Sequence, residues 1–366
     1  MKYIEEFIKN NKMKVIVMAI LLFFSVAFLI FMKYNHFLYD DIIIRIISVN
    51  ESRVEHDDIS HVAPHYLQQI EARVMNGDQR GEIVSFVYER SYTSLFDYNF
   101  SRGNELFVDR LENLSAANIL SVKRDFHIAL LIVTFVFLLA LVTSRRSFLI
   151  LGAMIINIGI FVLVSFFRNE GINVFLLFSI ATILFSIVTL SIICGFNKKT
   201  LAAIISTLVT VAVMMLIAYI VIDIGEIRFE TMDFLPYFPD FNLIFFSGVL
   251  ISGLGAIMDV TILMATAINE LIYRDPQINP KTLKKSAWSV AQDNVGTSMN
   301  VLFYASIIGM TPLIIFFTVN GVGITSITRY WLSVEVIRAL ISSIGIVIAA
   351  PISYFVNLTI RRRWKI

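Results

Sequence analysis

The chain has 366 residues, of which 57% are hydrophobic and 16% charged, and its formal net charge is +2. Soluble domains typically hold ~45–50% apolar and ~25% charged residues, so this composition excludes a water-soluble globular protein and equally a disordered chain. The near-neutral charge gives no basis for a nucleic-acid partner, and the single cysteine, Cys194, allows no intrachain disulfide.

A spanning helix needs ~20 mainly apolar residues. Eight stretches meet that length in chain order: Val15–Lys33, Phe126–Thr143, Phe148–Phe167, Ile172–Gly195, Thr200–Ile224, Asn242–Asn269, Thr297–Val319 and Tyr330–Leu358. The first follows Lys9, Lys12 and Lys14, as a signal peptide would. Its apolar run exceeds the ~7–15 residues of a signal core, and Lys33, Tyr34 and Asn35 follow it in place of a small-residue cleavage site. It reads as an uncleaved anchor.

The expected fold is therefore a membrane all-α bundle of about eight transmembrane helices. A small extracytoplasmic β-rich domain lies between the first two spans. Residues 1–33 form the N-terminal tail and anchor, 34–125 the β-rich domain, 126–360 the helical domain and 361–366 a basic tail. With the N-terminus inside, sixteen Lys and Arg residues fall in the inner segments and three, Arg168, Arg228 and Arg329, in the short outer loops. The positive-inside rule then places both termini in the cytoplasm.

In the exported segment, Asp41–Val49, Gln68–Met75, Glu82–Tyr88 and Glu105–Val108 read as strands. Asn76-Gly77-Asp78-Gln79-Arg80-Gly81 and Ser101-Arg102-Gly103-Asn104 read as turns. This spacing fits a small β-barrel or sandwich. His56, His61 and His65 cluster with Asp57 and Asp58, but Pro64 opposes a one-turn helical ligand pair at His61 and His65. The cluster reads as a polar loop, and no metal site is assigned.

Ionisable residues within spans are costly and tend to face a protein interior or a water path. In the sixth span Gly248, Ser252, Gly255 and Asp259 recur at steps of four, three and four on one expected helix face. Small residues there allow a second helix to approach and turn the carboxyl into the contact. Two readings stand for Asp259: a protonatable or cation-binding group on a transport path, or a carboxyl hydrogen-bonded across a tight helix contact. At the start of the seventh span Asp293, Gly296 and Asn300 share a face. They read as a helix start at headgroup level, or as a continuation of the Asp259 path. Glu335 and Arg338, three apart in the last span, read as an ion pair holding an interface, or as a gate.

Between the sixth and seventh spans, residues 271–296 carry Asp275-Pro276 and Asn279-Pro280, then a basic stretch ending in Trp288. They read as a break followed by a short amphipathic helix on the inner leaflet. Pro312 and Pro351 are expected to kink their spans. The loop 225–241 holds Phe229, Phe234, Tyr237, Phe238 and Phe241, a set suited to the headgroup region. No phosphate-binding loop, metalloprotease motif, paired-Cys motif or nucleophile elbow is present, so neither an enzyme nor a cofactor is expected.

Gly253-Leu254-Gly255-Ala256-Ile257-Met258-Asp259-Val260-Thr261, Asp293-Asn294-Val295-Gly296-Thr297-Ser298-Met299-Asn300, and Val334-Glu335-Val336-Ile337-Arg338 with Ser343-Ile344-Gly345 and Pro351 resemble the YibE/F family of bacterial membrane proteins. The motifs match over about Ser247–Leu358. The anchor, the strand-rich segment and the Asn76-Gly77-Asp78 turn are similar to the family's YibE half. The chain departs from the family at Gln292, where a basic residue is usual, and at Asn104, where an Asp is expected. The resemblance implies a multi-span protein of the bacterial cytoplasmic membrane with a second YibE/F-like subunit, hence a hetero-oligomer in the lipid bilayer. The layout of an intramembrane Asp, an amphipathic helix and a polar helix start is also similar to that of SecF and related proton-driven proteins, an analogy of arrangement alone.

Two functions follow as expectations. The first is a secondary, ion-coupled transporter or permease subunit with Asp259, Asp293 and Asn300 on the path and Glu335 with Arg338 as an outer latch. The alternative is a non-transporting accessory component of an export or envelope system, acting through the outer β domain.

Overall fold

Two runs of structure follow one another in the computed structural model, which describes residues 12–54, 65–91, 98–109, 119–143, 146–168, 172–225 and 241–363. The chain divides into two compact units, Met1–Ser147 and Phe148–Ile366. The first opens with α1 (Lys12–Lys33), a helix of 22 residues without Gly or Pro. At ~1.5 Å per residue it reaches ~33 Å, enough to cross a hydrocarbon core of ~30 Å. A short 3-10 turn, Asn35–Leu38, leads out of it.

The strands β1 (Ile42–Val54), β2 (His65–Val74), β3 (Ile83–Ser91), β4 (Glu105–Val108) and β5 (Ile119–Val122) follow. They form one antiparallel sheet in the order β3-β2-β1-β4-β5, a half-barrel. Of the two expected forms, barrel or sandwich, the single sheet of the described strands is the barrel-like one. Side chains alternate across the pleat, so Ile44, Ile46, Ile70, Ala72, Val74, Phe86, Leu106 and Val108 build one buried face. The β2–β3 turn uses Gly77 at φ 74° and Gly81 at φ 98°, a region that disfavours a Cβ. Its Asn76 accepts from the Ile43 amide (2.7 Å) and donates to the Tyr39 and Asp41 carbonyls (3.1 and 2.8 Å). One side chain thus ties the turn to the start of β1. His65 is the first residue of β2, whereas His56, His61, Asp57 and Asp58 lie outside the described residues.

Beyond β5 the chain enters α2 (Asp125–Thr143), which packs on α1. At this junction stands an ionic cluster that no local pattern announces. The Glu105 carboxylate accepts from His36 (2.9 Å) and from the Arg45 Nε (2.8 Å), and Lys123 lies 3.4 Å away. The Lys123 ammonium also meets Asp125 at 3.1 Å and donates to Asn35 at 2.8 Å. Tyr39 and Asn35 both donate to Asp125. The turn after α1, the strands β1 and β4, the residue after β5 and the start of α2 are joined through charged and polar groups that satisfy one another, the condition for burying them.

The second unit holds α3 (Arg146–Arg168), α4 (Val174–Cys194), α5 (Lys198–Ile224), α6 (Phe241–Ser252), α7 (Leu254–Arg274), α8 (Pro280–Val319) and α9 (Ser333–Arg363). Counting α6 with α7, and the short turns from Ile324 with α9, seven helical stretches from α2 onward are long and apolar enough to cross a membrane. They correspond to seven of the eight expected spans; α1 stands where the first was expected, with a shorter apolar stretch, Met18–Lys33.

Small and hydroxyl side chains set the packing. Ala202, Ala203, Ser206, Thr207 and Thr210 form the buried face of α5. Thr207 and Thr261 hydroxyls lie 2.8 Å apart across the α5–α7 contact, and Ser353 on α9 donates to the Thr261 carbonyl at 3.3 Å. Lipid tails are as apolar as Leu, so close packing and such bonds hold membrane helices together.

Two local readings change. The expected amphipathic helix within 271–296 is not separate: α8 runs unbroken over 40 residues, from Pro280 into the span. Pro280 starts this helix. At the first helical position its missing N–H would be unpaired anyway, and Asn279 caps the turn by accepting from the Lys281 amide at 2.9 Å. The amphipathic pattern is real, with Leu283, Ala287 and Ala291 buried one turn apart. Helix α8 continues through Pro312 and α9 through Pro351. The aromatic residues Phe229, Phe234, Tyr237 and Phe238 lie outside the described residues.

Candidate functional site

The sixth span is interrupted where a single helix was expected. Helix α6 ends at Ser252 and α7 begins at Leu254, with Gly253 between them at φ −94° and ψ −9°. This break separates the residues assigned to one face. Gly248 and Ser252 stay with the helix contact: the Ser252 hydroxyl is 2.6 Å from that of Ser342 on α9, and a Cβ on Gly248 would meet the Arg338 guanidinium carbon at 3.5 Å. Gly255 does not. It is exposed, and a Cβ there would meet nothing within 4 Å.

At Gly253, between α6 and α7, an added Cβ would sit 3.0 Å from that of Ser342 on α9. At Gly345 of α9 an added Cβ would lie 2.7 Å from the Met214 sulfur and 3.2 Å from Ile257 Cδ1. The buried face of α7 is Ile257, Val260, Thr261, Met264, Ala265 and Ile268. Asp259 lies off that face and is exposed. It has no hydrogen-bond or ion-pair partner among the described residues, so the expected turn of this carboxyl into a helix contact is corrected. It sits near the middle of the apolar stretch Asn242–Arg274.

Gly255 instead borders a cavity of about 500 Å³, with Met258, Phe161, Asn157 and Thr189 also in its wall. Asn157, in the middle of α3, donates to the Thr189 hydroxyl at 2.8 Å, while its own amide oxygen is buried without a partner. Asn157 is not among the polar residues that the sequence singles out within the spans. A lone Asn in an apolar run was its only signal.

Asp293 and Asn300 are exposed on α8, and no hydrogen bond or ion pair joins either of them to Asp259 among the described residues. Their helix is peripheral: none of its most apolar 18-residue window is buried, against 56% for the last span. Glu335 and Arg338 do meet, at 3.2 Å on successive turns of α9. Both side chains are partly shielded, at 18% and 30% exposure, and the Arg338 Nε is buried without a hydrogen-bond partner. Among the described residues no group of three or more His, Cys, Asp or Glu side chains is placed to hold a metal ion.

The family model for YibE/F-like protein matches residues 131–363, and that for the YibE/F family N-terminal domain matches residues 37–122. No curated protein and no solved structure matches the chain. The first match takes in α3 to α9 with Asp259, Asp293, Asn300, Glu335 and Arg338, and the second takes in the five-stranded sheet; together they cover most of the chain, which belongs to the YibE/F family.

Proposed function

We propose that this protein is a non-enzymatic subunit of an ion-coupled secondary permease in the bacterial cytoplasmic membrane, with both termini in the cytoplasm. Asp259 is its ion- or proton-carrying group. The observation that carries this reading is an unpartnered carboxyl exposed on the surface of an apolar helix, midway along a span. A charged side chain at the bilayer centre costs at least ~2.5–3.5 kcal/mol, so such groups tend to face protein or water. Within this chain Asp259 keeps an exposed face and has no hydrogen-bond or ion-pair partner among the described residues. The proposal therefore includes a second YibE/F-like membrane subunit, making a hetero-oligomer, that closes over the Asp259 face and leaves a polar path. Asn300 and Asp293, both exposed on α8, extend that path. The Glu335–Arg338 pair acts as a latch, since its separation would free two charges in a half-buried setting.

The test is flux in proteoliposomes holding the chain with its co-purified membrane partner and a pH-sensitive dye inside. Asp259→Asn keeps the size of the side chain and removes its proton. Loss of one essential carrier is expected to cut proton or cation flux at least ~10-fold, whereas Asp223→Asn, near the end of α5, is expected to leave it unchanged. Flux that survives Asp259→Asn, or no flux from the wild-type assembly, overturns the reading.

A further inference from the structure

A cavity of about 520 Å³ opens where α1, the sheet and α2 meet, and its wall is cationic. Lys33, Arg45, Lys123 and Arg124 line it, against a single carboxylate, Glu105, and His127 adds a ring nitrogen. The charges are not all spent. Glu105 is engaged by His36, Arg45 and Lys123. Asp125, close by in sequence, is engaged by Lys123, Tyr39 and Asn35. The exposed side chains of Lys33 and Arg124 make no ion pair or hydrogen bond among the described residues, and the Lys33 ammonium lies 5.8 Å from the centre of the Tyr34 ring. Two cations without a carboxylate partner therefore line a space whose acids are already satisfied. Arg in particular offers planar paired donors suited to phosphate oxygens.

Position narrows the ligand. Lys33 is the last residue of α1, and Phe126 and His127 stand in the first turn of α2. The cavity thus lies at the level where two apolar helices leave the hydrocarbon, the depth of lipid headgroups. The positive end of the α2 dipole and its free backbone N–H groups favour an anion at the same place. Met32, Val122 and Phe126 supply an apolar part of the wall. The space is of the size that holds small ligands, ~300–1,000 Å³.

We propose that this cavity binds a phosphate group, supplied by the headgroup of an anionic phospholipid, with Lys33 and Arg124 as its principal contacts. The site is independent of the Asp259 path. A bound headgroup bridges the end of α1 to the start of α2, beside the ionic cluster that already joins them.

The test uses the full chain, purified and delipidated in neutral detergent, and isothermal titration with two probes: dihexanoyl phosphatidylglycerol below its micellar concentration, and inorganic phosphate. Saturable binding of the lipid is expected. The Lys33→Gln/Arg124→Gln variant is expected to weaken it at least ~10-fold, since two charge-assisted contacts are removed. A Lys281→Gln/Lys284→Gln control, which removes equal charge from the exposed start of α8, is expected to bind as the wild type does. Both cavity side chains are exposed and unpaired, so the variant's thermal midpoint is expected to stay unchanged, which separates lost binding from lost fold. Comparable binding of inorganic phosphate would support the phosphate site and assign it to a soluble ligand. No saturable binding of either probe, or equal binding by the double variant, overturns the proposal.

Discussion

Glu105→Gln is expected to cost the first unit about 3 kcal/mol of stability, the scale of breaking a shielded ion pair by removing one partner. Glu105 is the shared acceptor of His36, Arg45 and Lys123. The amide that replaces it keeps the shape and loses the charge. Lys123, whose side chain is only 3% exposed, then retains Asp125 as its one counter-ion. The loss is measured on the full chain in detergent, as a fall in the thermal midpoint of the far-ultraviolet β-sheet signal. Adding Lys123→Met to Glu105→Gln is expected to recover part of it, because the buried ammonium is removed as well; a purely additive double variant would show that the two groups are not coupled.

The same carboxylate sets an acid limit. Burial alone would raise its pKa, but the hydrogen bonds and charges of His36 and Arg45 outweigh burial and hold it below the ordinary 4.5. A group depressed in the folded state contributes stability above its unfolded pKa and loses that contribution as pH falls through the folded value. Acid titration of the wild type is therefore expected to lower the midpoint in the range below the ordinary carboxylate pKa. Glu105→Gln, having no proton to take up there, is expected to show a shallower dependence. Parallel acid limbs for the two proteins would contradict the assignment.

Gly345→Leu is the second large effect. A Cβ alone at this position meets the Met214 sulfur at 2.7 Å, Met214 Cγ at 3.1 Å and Ile257 Cδ1 at 3.2 Å. Both neighbours are fully buried, so neither has open space to move into. Overpacking by methylenes typically costs ~1–3 kcal/mol, and a Leu here pushes α9 from α5 and α7 together. The expected result is a lower thermal midpoint and a smaller monodisperse fraction on size exclusion. Gly255→Ala is the matched control. Nothing lies within 4 Å of its added Cβ, and replacing a helical Gly by Ala gains up to ~1 kcal/mol in propensity. A fall in stability at Gly255 comparable to that at Gly345 would restore the continuous small-residue face that the break at Gly253 removes.

The difference between these two glycines shows where local pattern stops being sufficient. A step of four, three and four puts Gly248, Ser252, Gly255 and Asp259 on one side of an ideal helix, but only if the helix is continuous and a neighbour occupies that side. Gly253 interrupts it, and α9 reaches the first two residues and not the last two. Asn279-Pro280 misled in a related way. A Pro ends a helix from inside and begins one from its first turn, and the choice depends on the cap that Asn279 forms. β5, Ile119–Val122, has four residues, too few to show a period in the sequence.

What the amino-acid order determined by itself is whatever one segment settles alone with its solvent. The spans are legible because a backbone in lipid must satisfy its own hydrogen bonds, which demands ~20 apolar residues in succession. β1 to β4 and the Asn76-Gly77 turn are legible because pleating and positive φ select residue types locally. Tertiary structure alone decided which faces meet. It assembled the cluster of Asn35, His36, Glu105, Lys123 and Asp125 from residues up to 90 positions apart, placed Gly253 and Gly345 against α9 and its neighbours, and left Asp259 outside the packed interior. Such contacts depend on how whole helices and strands are set against one another, and no periodicity within a single element encodes that.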